Sequence, residues 1–179
     1  GESPICVLSA VSPTDCFHMA FEAARIAIEH MTPVILLTDA FIANGSSAWR
    51  VPEESEYPEI KVPFVTDEQL AAEWKPYKRI GENFARAWAI PGTKGAMHRV
   101  GGLEKDFETS VISNDGANHA LMIETRRSKV AKIANSVPDL TIAGEKDADT
   151  ILVGWGGTYG HLYTAMEELN ADGNENHKV

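Results

Sequence analysis

Apolar positions gather at the two ends of the chain, where short continuous runs alternate with helix-spaced stripes. Ile5-Cys6-Val7-Leu8-Ser9 is a short run of β type. Beyond it, Phe17, Ala20, Phe21, Ala24 and Ile28 recur at helical spacing, with Glu22, Arg25 and Glu29 off that stripe. The spacing predicts a helix over 17–31 whose apolar face meets a sheet. Ser12 suits the N-cap, Pro13 the first helical position, and Asp15 lies three residues after the cap, where a carboxylate answers free amides and the helix dipole. Thr32-Pro33 ends the helix and launches Val34-Ile35-Leu36-Leu37-Thr38-Asp39 as a second buried strand. A strand, a crossover helix and a parallel strand follow, with Phe17, Phe21, Ile28, Val34, Ile35, Leu36 and Leu37 as the expected core. At the other end, Thr150 to Trp155 reads as a strand, Gly156 to Gly160 as a turn, and the residues through about Leu169 as a helix. A parallel sheet needs several strands to bury both faces, so both units read as cut: one begins mid-fold at residue 5, the other stops at residue 179 after its first helix.

Between them the pattern weakens. From Trp49 to Pro63, Pro52, Glu53, Glu54, Glu56, Pro58 and Pro63 mark a connector. Residues 64–110 are punctuated by Gly92, Gly95, Gly101 and Gly102 and predict loops and small strands. Ala117 to Val137 predicts a helix with Ile123, Val130, Ile133 and Val137 on one side and Arg127, Ser128 and Lys132 on the other, closed by Pro138. The fold class is therefore α/β, parts of two parallel-sheet domains joined by an irregular connector: 1–50, 51–146 and 147–179.

Charge narrows the function. With 26 acidic against 16 basic residues and a net charge of -10, and no basic cluster beyond Arg126-Arg127-Ser128-Lys129, nucleic acid is excluded as an expected partner. No run of 18 or more apolar residues and no secretion-signal pattern is visible, so no membrane partner is expected and a cytoplasmic location is. Cys6 and Cys16 form no CxxC; they read as reduced thiols, unable to hold an iron-sulfur cluster or structural zinc by themselves.

Two segments carry candidate chemistry. Gly154-Trp-Gly156-Gly157-Thr-Tyr-Gly160, between strand and helix, resembles a phosphate-cradling turn, but the spacing is GxGxxxG and a tight structural turn explains it as well. Met97-His-Arg-Val-Gly-Gly-Leu-Glu-Lys-Asp106 is a polar, glycine-hinged loop. His98, Arg99, Gly101, Gly102, Glu104 and Asp106 are expected to face a partner or a substrate entrance. No HxH, HxxxH or ExxH pair supports a metal there, and none is expected. His18, His30 and His119 lie on predicted helices and read as packed or surface residues. Ser9, Ser46 and Ser47 lack a nucleophile elbow, and Cys16 has no cue for an activating base, so catalytic residues are not assigned. Trp49, Trp74, Trp88 and Trp155 are dispersed as packing residues are.

Several of these segments together resemble the 2-oxoacid:acceptor oxidoreductase family, in the manner of 2-oxoglutarate:ferredoxin oxidoreductase alpha subunits. The matching stretches are Ser12-Pro-Thr-Asp-Cys-Phe17, Thr32 to Asp39, Gly92 to Asp106, Asn118-His119 with Lys129-Val-Ala-Lys-Ile133, and Asp147 to Gly160. They cover nearly the whole chain, in order. The resemblance implies that 1–50 closes a pyrimidine-binding thiamine diphosphate domain and that 147–179 opens a transketolase-C-like domain. It implies oxidative decarboxylation of a 2-oxoacid, 2-oxoglutarate or pyruvate, to an acyl-coenzyme A with electrons passed to ferredoxin. Thiamine diphosphate and Mg would be held mainly by a beta subunit and an iron-sulfur cluster by a partner subunit or domain, with none held by this chain alone. Lys105 stands where the family often has histidine, which removes that position's proton-transfer role from the expectation. The alternative is an independent α/β small-molecule or nucleotide-binding module built on Gly154–Gly160; a closed sheet with a free pocket at Gly156 would favour it, open sheet edges the first reading.

Overall fold

The computed structural model describes residues 3–171 and 178–179; the remainder of the expected 147–179 segment, and residues 1–2 of the expected 1–50 segment, lie outside the described residues. The elements are β1 (Cys6–Ser9), α1 (Asp15–His30), β2 (Val34–Leu37), α2 (Ala40–Asn44), α3 (Asp67–Ala71), α4 (Gly116–Ile133) and α5 (Tyr159–Ala171). Strands β1 and β2 form a two-stranded parallel sheet around the α1 crossover, as the sequence predicts. The chain divides into two compact units. The first comprises Gly1–Cys6, Ala24–Val34 and Pro58–Pro138; the second comprises Val7–Ala23, Ile35–Tyr57 and Asp139–Val179.

In the second unit, the start of α1 is held by reciprocal bonds. The Asp15 amide donates to Ser12 Oγ at 3.1 Å and the Val11 amide to Asp15 Oδ2 at 2.9 Å, which closes the turn before the helix; α1 begins at Asp15, so Ser12 and Pro13 lie in that turn rather than at the expected N-cap and first helical position. The phase of α1 differs from expectation. Phe17 is exposed and Phe21 only half-buried, and both meet aromatic residues of the following connector rather than a sheet. Phe17 lies 5.1 Å from the Trp49 ring and 5.8 Å from Tyr57, and Phe21 lies 4.6 Å from Tyr57. Of the expected strand core, Ile35 and Leu37 are exposed and Val34 and Leu36 half-buried. A sheet of two strands has no layer to cover both of its faces.

The expected strand at 150–155 is absent among the described residues; the segment has no ladder, and Ile151, Val153 and Trp155 are exposed. Extended backbone without a neighbouring strand leaves its amides and carbonyls without a ladder. The helix after it forms as expected, preceded by a single 3-10 turn at Gly156–Thr158.

The first unit packs α4 against the end of α1 and the irregular 58–112 segment. Ile26 is 1% exposed and His30 is buried, whereas the expected stripe member Ala24 is exposed and Ile28 is half-buried. The indole of Trp88 donates to Ile28 O at 2.8 Å. Residues 64–110, expected as loops and small strands, hold the helix α3 instead of named strands, and the segment is tied by the isolated bridges Phe64–Trp88, Ile80–Ala85 and Lys105–Ile112. Helix α4 is capped by Asp115, whose carboxylate accepts from the Asn118 amide at 2.7 Å. Its buried face is Met122, Thr125, Lys129 and Ile133; of the expected stripe Ile133 is buried, while Ile123, Val130 and Val137 are half-buried. The rotation is possible because the polar members carry partners: Thr125 Oγ donates to Leu121 O and Lys129 Nζ to Met31 O, both at 2.7 Å.

Candidate functional site

The loop 97–106 combines an exposed apolar tip with an anchored base. Met97 is 97% exposed, and Val100 and Leu103 are also exposed. Gly101 has φ 135°, a region that side chains rarely enter, and supplies the reversal between them. His98 is fixed edge-on to Trp74, 5.4 Å between ring centroids, with Nδ1 bonded to Ala96 O at 2.8 Å. Arg99 is exposed at its side chain, while its carbonyl accepts from Tyr77 Oη at 3.4 Å. Gly102 has open space around its Cα.

The second half of the loop is tied down by charge. Glu104 meets both Arg126 and His119 at 3.2 Å. Burial raises its carboxyl, but the hydrogen bonds from His119 and Arg126 outweigh it and hold the acid below its ordinary value. Asp106 Oδ1 accepts from the Thr109 amide at 2.9 Å, the Glu108 amide at 3.1 Å and Thr109 Oγ1 at 2.9 Å, which closes a turn and lowers its carboxyl. Lys105 is 2% exposed, and its ammonium donates to Gly101 O at 2.9 Å and to Leu103 O. It therefore braces the loop from inside, a departure from a fully solvated loop. Asn118 clamps the base from α4, accepting from the Phe107 amide and donating to Lys105 O, both at 2.9 Å. Asn118→Ala strands both backbone groups and is expected to cost about 2 kcal/mol in a urea titration, with faster exchange of the Phe107 amide.

Beside this base lies a set of cations that spacing does not reveal. Tyr77 gathers three of them: its carbonyl accepts from Arg79 Nη1 at 3.2 Å, Arg86 stacks 4.4 Å from its ring centroid, and Lys105 Nζ lies 5.8 Å from it. Burial, followed by the charges of Arg86 and Arg126, lowers Arg79 to about 10. Burial, followed by Arg79 and Arg86, lowers Lys129 to about 7. Only Arg126-Arg127-Ser128-Lys129 gives a hint of it in the sequence; Arg79 and Arg86 are isolated there.

The glycine turn in the second unit binds a carboxylate of the protein itself. The Gly157 amide donates to Asp39 Oδ2 at 2.7 Å, and Asp39 Oδ1 accepts from the Ile42 amide at 2.8 Å as the N-cap of α2. These two bonds, Ile42 first, lower the Asp39 carboxyl. A Cβ on Gly157 would lie 2.6 Å from Asp39 Oδ2, so glycine is required by this close approach. Gly156, with φ 66°, is buried against Asp39 and Ser9.

Cys6 and Cys16 are free thiols, and burial pushes Cys6 up. His18 bonds Tyr57 Oη at 2.5 Å, and His30 Nε2 lies 3.3 Å from Ser136 Oγ. Among the described residues, no three histidine, cysteine, aspartate or glutamate side chains converge as metal donors. No helix among them is long and apolar enough to cross a membrane.

A family profile described as pyruvate flavodoxin/ferredoxin oxidoreductase, thiamine diphosphate-binding, matches residues 2–114. The chain is 44% identical to 2-oxoglutarate oxidoreductase subunit KorA of Mycobacterium tuberculosis, over 97% of its own length and 26% of that protein's. It is 30% identical to the alpha subunit of 2-oxoacid:ferredoxin oxidoreductase 1 of Aeropyrum pernix, over 97% and 27% of the two lengths. Among solved structures it is similar to 2-oxoglutarate:ferredoxin oxidoreductase from Magnetococcus marinus with 2-oxoglutarate, coenzyme A and succinyl-CoA bound. That likeness has a TM-score of 0.82 at 30% identity and covers 97% of this chain and 30% of the other. The chain thus spans between a quarter and a third of the length of these three relatives.

Proposed function

We propose for this chain, which belongs to the pyruvate flavodoxin/ferredoxin oxidoreductase, thiamine diphosphate-binding family, a place in the alpha subunit of a 2-oxoacid:ferredoxin oxidoreductase acting on 2-oxoglutarate. The observation that carries the substrate is the similarity to the mycobacterial 2-oxoglutarate subunit along nearly the whole chain. In this reading the complete cytoplasmic complex decarboxylates the 2-oxoacid, transfers the acyl group to coenzyme A and passes two electrons to ferredoxin. Residues 1–50 belong to the pyrimidine-binding domain, 51–146 to the connector and 147–179 to the transketolase-C-like domain.

The Gly154–Gly160 turn does not fit the diphosphate end of thiamine diphosphate. The amide of the one glycine turn that could receive a phosphate is taken by the Asp39 carboxylate, which would repel a diphosphate. The proposal therefore assigns that end of the cofactor to a beta subunit and the iron-sulfur cluster to a partner, and places no catalytic step on this chain's side chains. The same contact argues against the independent nucleotide-binding reading, as does the two-stranded sheet with uncovered faces.

The contribution proposed for loop 97–106 is contact with a partner subunit or the substrate entrance. Its support is the exposed apolar tip of Met97, Val100 and Leu103 on a base fixed by Glu104, Lys105 and Asp106.

The test is turnover by the full-length chain co-expressed with its beta subunit, read as coenzyme A-dependent reduction of a viologen. 2-Oxoglutarate is expected to be the preferred substrate, and residues 1–179 alone are expected to give no turnover. Preference for pyruvate would overturn the substrate, and turnover by the segment alone would overturn the division of labour.

A further inference from the structure

Arg79, Arg86, Arg126 and Lys129 form a cationic group in the first unit whose charge the described residues leave largely uncompensated. Glu104 is the carboxylate that touches it, at Arg126, and it is shared with His119. Arg79 donates to a carbonyl and, at 3.9 Å, to the thioether of Met122. Its Nε is buried without a hydrogen-bond partner, and so is Nε of Arg126. Arg86 lies over the Tyr77 ring, and no carboxylate among the described residues is paired with it. Lys129 is 7% exposed and has a single neutral acceptor, Met31 O.

Buried guanidinium groups ordinarily find carboxylates or phosphates, because an unpaired buried charge is costly and each unmet donor adds to that cost. Burial, and after it the neighbouring cations, lower both Arg79 and Lys129, and the groups that oppose this are Tyr77 and Cys6 rather than carboxylates. Holding several like charges together is unfavourable unless an anion joins them. The fork geometry of arginine matches oxyanions in pairs of parallel bonds, and a doubly charged group offsets more of this charge than a single carboxylate does.

We propose that Arg79, Arg86 and Arg126, backed by Lys129, form a binding site for a dianionic phosphate group, presented by free phosphate or by the phosphate ester of a coenzyme. Tyr77 orients the site, since its carbonyl holds Arg79 and its ring carries Arg86. The site is separate from the glycine turn, whose amide is already occupied, and is independent of the 2-oxoacid reading above.

The experiment uses the full-length chain with its beta subunit, in chloride buffer. Inorganic phosphate is titrated by ³¹P line broadening and by the thermal midpoint, against sodium chloride at matched ionic strength. Phosphate should raise the midpoint beyond chloride, and Arg86→Ala should weaken binding at least tenfold, with Arg86→Lys between the two. Arg127→Ala, an exposed residue on the same helix as Arg126 that pairs with Glu124, should leave binding unchanged. Parallel titrations with coenzyme A and with its 3′-dephospho form identify the source: loss of affinity without the 3′-phosphate assigns the coenzyme, equal affinity assigns free phosphate. Phosphate acting no more strongly than chloride, unchanged binding in folded Arg86→Ala, or succinate binding more tightly than phosphate would each overturn the proposal.

Discussion

Replacing Ile26 by alanine is expected to lower the free energy of unfolding by about 2–5 kcal/mol, the largest loss from any single aliphatic truncation in α1. Ile26 is 1% exposed, so its removal leaves a cavity that surrounding groups in the first unit cannot fill without shifting. Phe17→Ala makes the contrast. Phe17 is a larger side chain but 48% exposed, and its loss should cost less than half as much. Urea titrations of both variants check the pair, and equal losses would show that α1 buries the opposite face.

The second large effect is a dependence on pH. Lys129 has a folded-state value of about 7, set first by burial and then by Arg79 and Arg86, against an ordinary 10.5. Between those values the unfolded chain binds a proton that the folded chain does not, so this group makes stability rise with pH across that window. Below about pH 7 it is charged in both states, and the full penalty of burying the charge remains. Lys129→Met removes the penalty, which corresponds to about 3–5 kcal/mol. It also leaves Met31 O without its donor, offsetting about 1 kcal/mol. In phosphate-free buffer the variant should therefore be more stable than the parent near neutrality, with the advantage shrinking toward pH 10. The Cys6 thiol, which burial pushes up, lies close enough to act on Lys129, so Cys6→Ala belongs in both backgrounds. A parent-minus-variant difference that does not change between pH 7 and 10 would refute the buried-charge account.

Local signals were the legible ones. Ser12 and Asp15 specify a helix start through atoms a few residues apart, and Pro138 closes the predicted helix after the 3-10 turn at Ala134–Ser136 that follows α4; neither depends on what lies across the molecule. The α1 stripe was misread because Phe17 and Phe21 are apolar enough for a core, yet Trp49 and Tyr57, tens of residues away, take them as partners. The buried face of α4 was hidden for the opposite reason. Lys129 and Thr125 look like surface residues until Met31 O and Leu121 O supply acceptors. The strand expected at 150–155 shows the limit of propensity: an apolar run becomes a strand only when a neighbour meets its backbone. At the loop, the position of Glu104 and Asp106 in a glycine-rich segment was readable. The bracing by Lys105 and the assembly of Arg79 with Arg86 around Tyr77 were not, because they arise from contacts across isolated bridges.

The open parallel pair of β1 and β2 also bears on how such a chain survives synthesis. Val34 to Leu37 is a short, uncharged apolar run with high strand propensity, the composition that nucleates intermolecular β-stacking when its edges are free. The residues on either side oppose this: Pro33 cannot donate to an added strand, and Asp39 places a charge just beyond the run. Their neighbours in sequence thus serve as gatekeepers against aggregation while the polypeptide is still emerging. Substituting Pro33 would therefore be expected to show first as a lower soluble yield, before any change in the folded state is measured.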